Sequence, residues 1–178
     1  MTDDSGILTE KFTQRDYMEL PEGFPAELIE GAFVREPAPT RWHQRVVFRI
    51  ATRLESVAGT GTVVVSPVDV FVDEHNVLQP DVLVSRPEDA VTPDSPPGAV
   101  PVLAVEVLSP ATASRDRDAK TAIYLRAGVR EVWLVDPDAG TVEVHTADAV
   151  CRYAEAERAQ SDAVPGFSLS WQDLAQRS

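Results

Sequence analysis

The segment Val102–Leu108 constrains the fold of this 178-residue chain more than any other. It is apolar at nearly every position, which predicts a central strand that is covered on both faces. A helical pattern follows it from about Ser114 to Ala127, and a second strand-like run follows at Glu131–Val135. Because such a strand needs other elements packed on each side of it, the sequence predicts an α/β fold.

Glu106 interrupts this apolar segment. An unpaired carboxylate in a central strand would be costly, so something must compensate its charge. A metal ion, a cationic side chain or protonation would each do so, and all three are commonest at functional sites. The alternative is a structural ion pair.

Asp81 provides a second carboxylate at the start of another strand. Pro80-Asp81 opens the apolar run Val82–Val84, and proline is tolerated at a strand's first position. Alone, Pro-Asp could equally be an ordinary turn. Together with Glu106 it predicts a site for a hard cation such as Mg²⁺, which prefers oxygen ligands.

Lys120 lies on the helical segment after the Glu106 strand, with Asp116 and Tyr124 four residues away on the same face. One alternative is an exposed Asp116–Lys120 ion pair of little energetic consequence. The other is catalytic. A lysine beside a metal site could orient the attacking water and stabilise charge on a phosphoryl group during phosphodiester hydrolysis.

The remaining pattern predicts a polar, disordered segment over residues 1–8 and one domain over residues 1–178. A long loop rich in proline and acids is expected over residues 86–99. The other predicted elements are a helix capped by Thr9 and ending at Pro21, a hairpin over Leu28–Val34, a helix from Thr40 to about Ala58, a meander of strands at Thr62–Ser66, Val68–Asp73 and Val77–Ser85, and strands near Thr141–Thr146 and Cys151–Ala154.

Composition limits the classes of function. One cysteine and three scattered histidines exclude an internal disulfide and give no zinc-site spacing. No apolar run approaches the roughly 20 residues needed to cross a bilayer, and the first residues lack the pattern of a signal peptide, so we expect a cytoplasmic protein. The net charge of −13 is the wrong sign for coating a long stretch of nucleic acid.

Positive charge is nevertheless concentrated in two places. Arg41, Arg45, Arg49 and Arg53 repeat every four residues on the main helix, where like charges repel. They could pair with acids such as Glu55 and the acidic loops, or contact phosphates. The second place is the segment after Glu106, where we expect Arg115 and Arg117 to contact nucleic acid.

Several segments, taken in order, carry a family resemblance: Glu27–Gly31, His43, Gln79–Val84, Val105–Thr112, Arg115-Asp116, Lys120, Tyr124 and Gly128–Pro137. Together they resemble the Uma-type family of restriction endonucleases, a bacterial group within the PD-(D/E)XK nuclease superfamily. The resemblance implies a restriction-endonuclease-like fold with a central mixed β-sheet flanked by helices.

The resemblance also implies a set of site residues. Asp81 and Glu106 would bind Mg²⁺, with Mn²⁺ as a substitute. Leu108 stands where the superfamily usually has lysine, so Lys120 on the adjacent helix is the candidate for that role. The secondary candidates near the same pocket are Glu30, His43 and Tyr124.

The leading hypothesis from the sequence is a Mg²⁺-dependent endonuclease that hydrolyses DNA by metal-activated water, with Asp81, Glu106 and Lys120 as its catalytic residues. The alternative, motivated by the negative charge, is a catalytically inactive nuclease-fold protein that acts as a binding or dimerisation module. A serine or cysteine hydrolase is disfavoured because the chain lacks a Gly-x-Ser-x-Gly elbow. Homodimerisation is an expectation from fold-level analogy.

Overall fold

The computed structural model describes residues 11–21, 23–35, 37–89, 98–110 and 116–175, with the backbone alone described for Asp116. Several sequence predictions lie outside these residues: the disordered segment 1–8, the cap at Thr9, most of the loop over 86–99, and Arg115.

The described residues form helices and strands in alternating groups. The helical elements are α1 (Gln14–Met18), α2 (Arg41–Ala58), a 3₁₀ turn (Pro87–Asp89), a π-helical turn (Asp116–Lys120), α3 (Thr121–Arg126) and α4 (Trp171–Ala175). The strands are β1 (Ala26–Ile29), β2 (Ala32–Arg35), β3 (Val63–Val65), β4 (Val70–Asp73), β5 (Asn76–Leu78), β6 (Val82–Val84), β7 (Leu103–Val107), β8 (Glu131–Asp136), β9 (Thr141–His145), β10 (Val150–Ala154), β11 (Ala159–Gln160) and β12 (Ser168–Leu169).

The larger sheet has the strand order β10-β9-β8-β7-β6-β3. Its neighbours are antiparallel except β7 and β8, which are parallel and are joined through α3, so the sheet is mixed as expected. The smaller sheet has the order β2-β1-β5-β4. β7 is buried at every position in the middle of the larger sheet, which confirms the prediction of a covered central strand.

The two faces of the larger sheet have different coverings. On one face, side chains such as Trp133 pack with Ile50 of α2 and with the C-terminal segment. On the other face, side chains such as Leu134 pack with Ile123 of α3 and with Ile29 of the smaller sheet. Alternation along β7 turns Glu106 toward this second face, together with Ala104.

The predicted strand Val77–Ser85 is wrong. The chain forms two strands there, β5 and β6, which belong to different sheets, so the predicted meander is wrong as well. The break falls at residues 79–81, where Pro80 has no N–H to donate to a continuous ladder. Asp81 therefore lies where the chain passes from the smaller sheet into the larger one.

One of the three predicted helices matches the structure closely, and the other two differ from it. α2 is the match: the Thr40 hydroxyl accepts from the His43 N–H at 3.1 Å, and the helix ends at Gly59, whose φ is 95°. α1 is capped by Thr13 through a capping box with Asp16. The predicted continuous helix over 114–127 is wrong in its described part, because a π-helical turn precedes α3.

Two arginines of α2 contact the C-terminal helix α4. The Arg49 guanidinium donates to the Leu174 carbonyl of α4, and Arg53 lies 3.7 Å from Asp173. Pairing with an acid is therefore confirmed for Arg53, although the acid belongs to α4 and is not Glu55. In the part of the chain that the structure describes, no helix has the length and apolar composition to cross a bilayer.

Candidate active site

The register of β6 and β7 places the two predicted metal-binding carboxylates side by side. Val82 pairs with Val105, so Asp81 and Glu106 are the next pair outward and share a sheet face. Asp81 is fixed there because its Oδ2 accepts from the Val107 N–H at 2.7 Å. The structure thus brings Asp81 and Glu106 together at the end of the central strand.

Lys120 joins this cluster. Its Nζ lies 2.7 Å from Oε1 of Glu106 and 3.0 Å from Oε1 of Glu27, and 4% of its side chain is exposed. The alternative of a solvent-exposed ion pair is therefore wrong for this lysine. The π-helical turn ends at Lys120 and points the ammonium group at the two glutamates.

Glu27 is the acid that the sequence interpretation did not assign. It lies on β1 in the smaller sheet and is fully buried. Its Oε1 accepts from the Gln79 N–H at 2.6 Å as well as from Lys120, whereas its buried Oε2 has no hydrogen-bond partner among the described residues. The signal that identified Glu106 was present here too, since Glu27 interrupts the apolar residues of β1.

Tyr124 also contacts Glu106. Its hydroxyl donates to Glu106 Oε1 at 3.0 Å, and the side chain is fully buried. Burial, reinforced by the negative charge of Glu106, raises the pKa of Tyr124 well above its ordinary value. The phenol therefore stays protonated at neutral pH and serves as a hydrogen-bond donor, not as a base.

His43, at the start of α2, reaches the same strand end. Its Nε2 lies 2.9 Å from the Val107 carbonyl oxygen and 3.3 Å from Oδ2 of Asp81. Because a carbonyl oxygen can only accept, Nε2 carries a proton. His43 thus holds Asp81, and these two side chains, 14% and 17% exposed, are more open to solvent than Glu106 or Lys120.

Glu30 lies elsewhere. It occupies the exposed turn between β1 and β2 with φ at 52°, and its N–H donates to the Asn76 side chain. No contact of Glu30 with Asp81, Glu106 or Lys120 occurs in the described structure. The acid that this part of the chain contributes to the cluster is Glu27, three residues earlier.

The cluster is rich in carboxylates. Glu27 and Glu106 share the Lys120 ammonium, whereas Asp81 lies beside Glu106 and contacts His43 and the Val107 N–H. Among the described residues no group of three or more His, Cys, Asp or Glu is spaced to hold a metal ion. Two carboxylates are nevertheless enough for Mg²⁺, which commonly binds one or two together with water and substrate phosphates. The adjacent carboxylates of Asp81 and Glu106 are donors of the type that such an ion prefers.

Arg117 lies on the π-helical turn close to this site. Its Nη1 donates to Glu143, and its Nη2 lies 2.8 Å from Oδ2 of Asp136. Burial works against the charged form, but the two carboxylates outweigh it and raise the pKa of Arg117. The contact of Arg117 with nucleic acid stays a prediction, and these two acids already hold its guanidinium.

The central mixed sheet flanked by helices places the protein in the class of restriction-endonuclease-like folds. A crystal structure described as a putative nuclease belonging to DUF820 from Anabaena variabilis ATCC 29413 shares this fold, with a TM-score of 0.78 at 22% identity over 92% of this chain and 97% of that chain. A comparison with curated proteins found no match.

The family follows from a second comparison. The model of the family Uma2, described as "Putative restriction endonuclease", matches residues 10–172. The chain therefore belongs to the Uma2 family, which confirms the resemblance noted in the sequence.

Proposed function

We propose that this protein is a divalent-cation-dependent endonuclease that hydrolyses phosphodiester bonds of DNA, with Asp81, Glu106 and Lys120 as its catalytic residues. Membership of the Uma2 family supports a nuclease. The observation that carries the proposal is that Asp81 and Glu106 lie side by side at a strand end, with Lys120 against Glu106. Two adjacent carboxylates suit a divalent ion such as Mg²⁺, which binds oxygen ligands and keeps several waters.

Asp81 and Glu106 would hold the ion, Mg²⁺ or in its place Mn²⁺. When bound, such an ion neutralises charge on a phosphate and lowers the pKa of a water molecule. His43 and the Val107 N–H keep the Asp81 carboxylate at the strand end, and Tyr124 does the same for Glu106. These contacts orient both carboxylates before a substrate arrives.

Lys120 would act on the substrate's charge. Its ammonium is held against Glu106 at 2.7 Å, where it could stabilise the negative charge that develops on the phosphoryl group. Asp81 and His43 form the more exposed side of the cluster, so the scissile phosphate would approach from that side. A phosphate that approached there would reach the residues that would hold the ion before it reached Lys120.

A second candidate function is a catalytically inactive nuclease-fold module for binding or dimerisation. Two observations favour it: Lys120 already neutralises part of the acidic cluster, and the net charge of −13 repels nucleic acid. Titration calorimetry with Mn²⁺ separates the two functions. A nuclease should bind Mn²⁺ in a manner that Glu106→Gln weakens, whereas an inert module should show no binding that depends on Glu106.

Cleavage of supercoiled plasmid tests the activity directly. We expect nicking or linearisation with Mg²⁺ or Mn²⁺, and we expect Asp81→Asn to abolish it. Asp148→Asn is the matched control, because it removes the same charge from an exposed turn between β9 and β10. Cleavage that persists in Asp81→Asn would refute the assignment of the site. A homodimer and a cytoplasmic location remain predictions. Light scattering of the purified protein would measure its mass in solution and so test the homodimer.

A further inference from the structure

The π-helical turn carries two cations that meet two acids on one face of the larger sheet. Glu106 of β7, Leu134 of β8 and Glu143 of β9 are consecutive partners in the ladder, so they form a row across three strands. Lys120 lies over Glu106 at one end of this row, and Arg117 lies over Glu143 at the other. Since strands lie about 4.8 Å apart, the two acids are separated by about 10 Å, and the long side chains of Arg117 and Lys120 reach both of them from one helical turn.

The anchor of Arg117 is itself rigid. Asp136 receives Arg117 on Oδ2, while its Oδ1 accepts from the N–H groups of Asp138 and Ala139 in the turn after β8. Glu143 also contacts His145 at 3.2 Å. A guanidinium fork that meets two fixed carboxylates restrains both position and orientation, which a single contact does not do.

We propose that Arg117 is a positioning residue for Lys120: its clamp on Asp136 and Glu143 fixes the π-helical turn over β8 and β9 and thereby holds the Lys120 ammonium between Glu27 and Glu106. A lysine side chain has a flexible four-carbon stem, so its ammonium is held only if the backbone that carries it is held. The catalytic meaning of this clamp rests on the proposed function, but the clamp itself can be tested without it.

The clamp and a direct phosphate contact by Arg117 predict different kinetics. Loss of a phosphate contact should weaken DNA binding for all sequences and lower the dependence of binding on salt concentration by about one charge. Loss of a clamp should lower kcat while leaving KM and the salt dependence unchanged, because Lys120 is displaced and the substrate-binding surface is intact. A rise in KM with unchanged kcat in Arg117→Ala would overturn the proposal.

The chain offers an internal readout of Lys120, since its two lysines are Lys11 and Lys120. Lys11 is exposed and Lys120 is buried. Amine labelling with acetic anhydride, followed by mass spectrometry, should therefore modify Lys11 readily and spare Lys120. In Arg117→Ala we expect labelling of Lys120 to rise about tenfold or more relative to Lys11, which is the scale of a lost charge-assisted hydrogen bond.

Arg152→Ala is the matched control, because Arg152 lies 3.7 Å from the same Glu143 but belongs to β10 and not to the π-helical turn. It should leave Lys120 protected. Arg117→Lys, which keeps the charge but loses the fork, should give intermediate labelling. If Arg117→Ala does not fold, Glu143→Gln replaces it and should also expose Lys120.

Lys120 labelling that is as slow in a folded Arg117→Ala or Glu143→Gln protein as in the wild type would overturn the clamp. This outcome is distinct from failure of the proposed function. A wild-type protein without nuclease activity, in which Arg117→Ala nevertheless exposes Lys120, would support the clamp and refute the nuclease.

Discussion

Replacing Lys120 with methionine removes the ammonium that lies between two buried glutamates and keeps a side chain of similar length. Glu27 and Glu106 then face each other across the space that Nζ occupied, 3.0 Å from one carboxylate oxygen and 2.7 Å from the other. All three side chains are at most 4% exposed, so water cannot replace the lost partner. We therefore expect a loss of folding stability far larger than that of an ordinary surface substitution.

The magnitude follows from these distances. At an effective dielectric constant near 20, unit charges at this separation attract by about 5–6 kcal/mol per pair, and the cost of burying the charges offsets much of it. Removing one partner of a buried ion pair commonly costs about 3–5 kcal/mol. Because a domain is typically stable by about 5–15 kcal/mol, Lys120→Met should lose a large share of the total.

Urea unfolding followed by tryptophan fluorescence measures the loss, and Lys11→Met is the control because it removes the exposed lysine. The control should change the free energy of unfolding by less than about 0.5 kcal/mol. Adding Glu27→Gln to Lys120→Met should restore part of the stability, since it removes one of the two carboxylates that Lys120 contacted. A loss of stability below about 1 kcal/mol at pH 7 would refute the reasoning, because that is the scale of an exposed ion pair and not of a buried one.

Two further predictions concern residues around the cluster. Tyr124→Phe removes the hydroxyl that donates to Glu106, and we expect it to lower the free energy of unfolding in urea by about 1.5–3 kcal/mol. Mn²⁺ binding should persist, because Tyr124 orients a proposed ligand and is not a ligand itself. Complete loss of Mn²⁺ binding would contradict this role. Burial opposes ionisation of Glu143, but the hydrogen bonds from Arg117 and His145 outweigh this effect and lower the pKa of Glu143 below its ordinary 4.5. The contribution of Glu143 to folding stability is therefore present above pH 4.5 and is lost as the pH falls through the lowered pKa. Glu143→Gln should therefore flatten the acid side of the profile of melting temperature against pH, and an unchanged profile would contradict the assignment.

The sequence predicted the centre of this site because its signal is local. Glu106 stands in an apolar strand and Asp81 opens another, and both facts are visible within a few residues of each. The register of β6 and β7 then placed them side by side, as adjacent antiparallel strands require. Their adjacency is confirmed, whereas their role in binding a metal stays a prediction.

Glu27 escaped prediction for a nonlocal reason. It interrupts an apolar strand as Glu106 does, but β1 belongs to the smaller sheet, and no local pattern shows that this strand packs beside the end of β7. The split of Val77–Ser85 into β5 and β6 has the same cause, because β5 belongs to the smaller sheet and β6 to the larger one. A pattern with a period of two identifies strands, but it does not assign two successive strands to different sheets.

Lys120 depended on the geometry of one turn. A regular α-helix predicts neighbours four residues away, which led to the alternative of an exposed pair with Asp116. The π-helical turn ends at Lys120 and is held by Arg117, whose partners Asp136 and Glu143 lie in strands that follow it in the sequence. Such turns are rare and often occur at functional sites, and helical periodicity does not reveal them.

The cluster exists only where the two sheets meet. Glu27 comes from the smaller sheet, Asp81 from the segment that joins the two sheets, and Glu106 from the centre of the larger one, with Lys120 between the two glutamates. Separating the sheets would part the two glutamates, so that the Lys120 ammonium could contact only one of them. The lysine thus links packing of the sheets to assembly of the site. Because Asp81 does not depend on Lys120 for its contacts, one ammonium can stabilise the fold while Asp81 and Glu106 remain the carboxylates that we propose for a divalent cation.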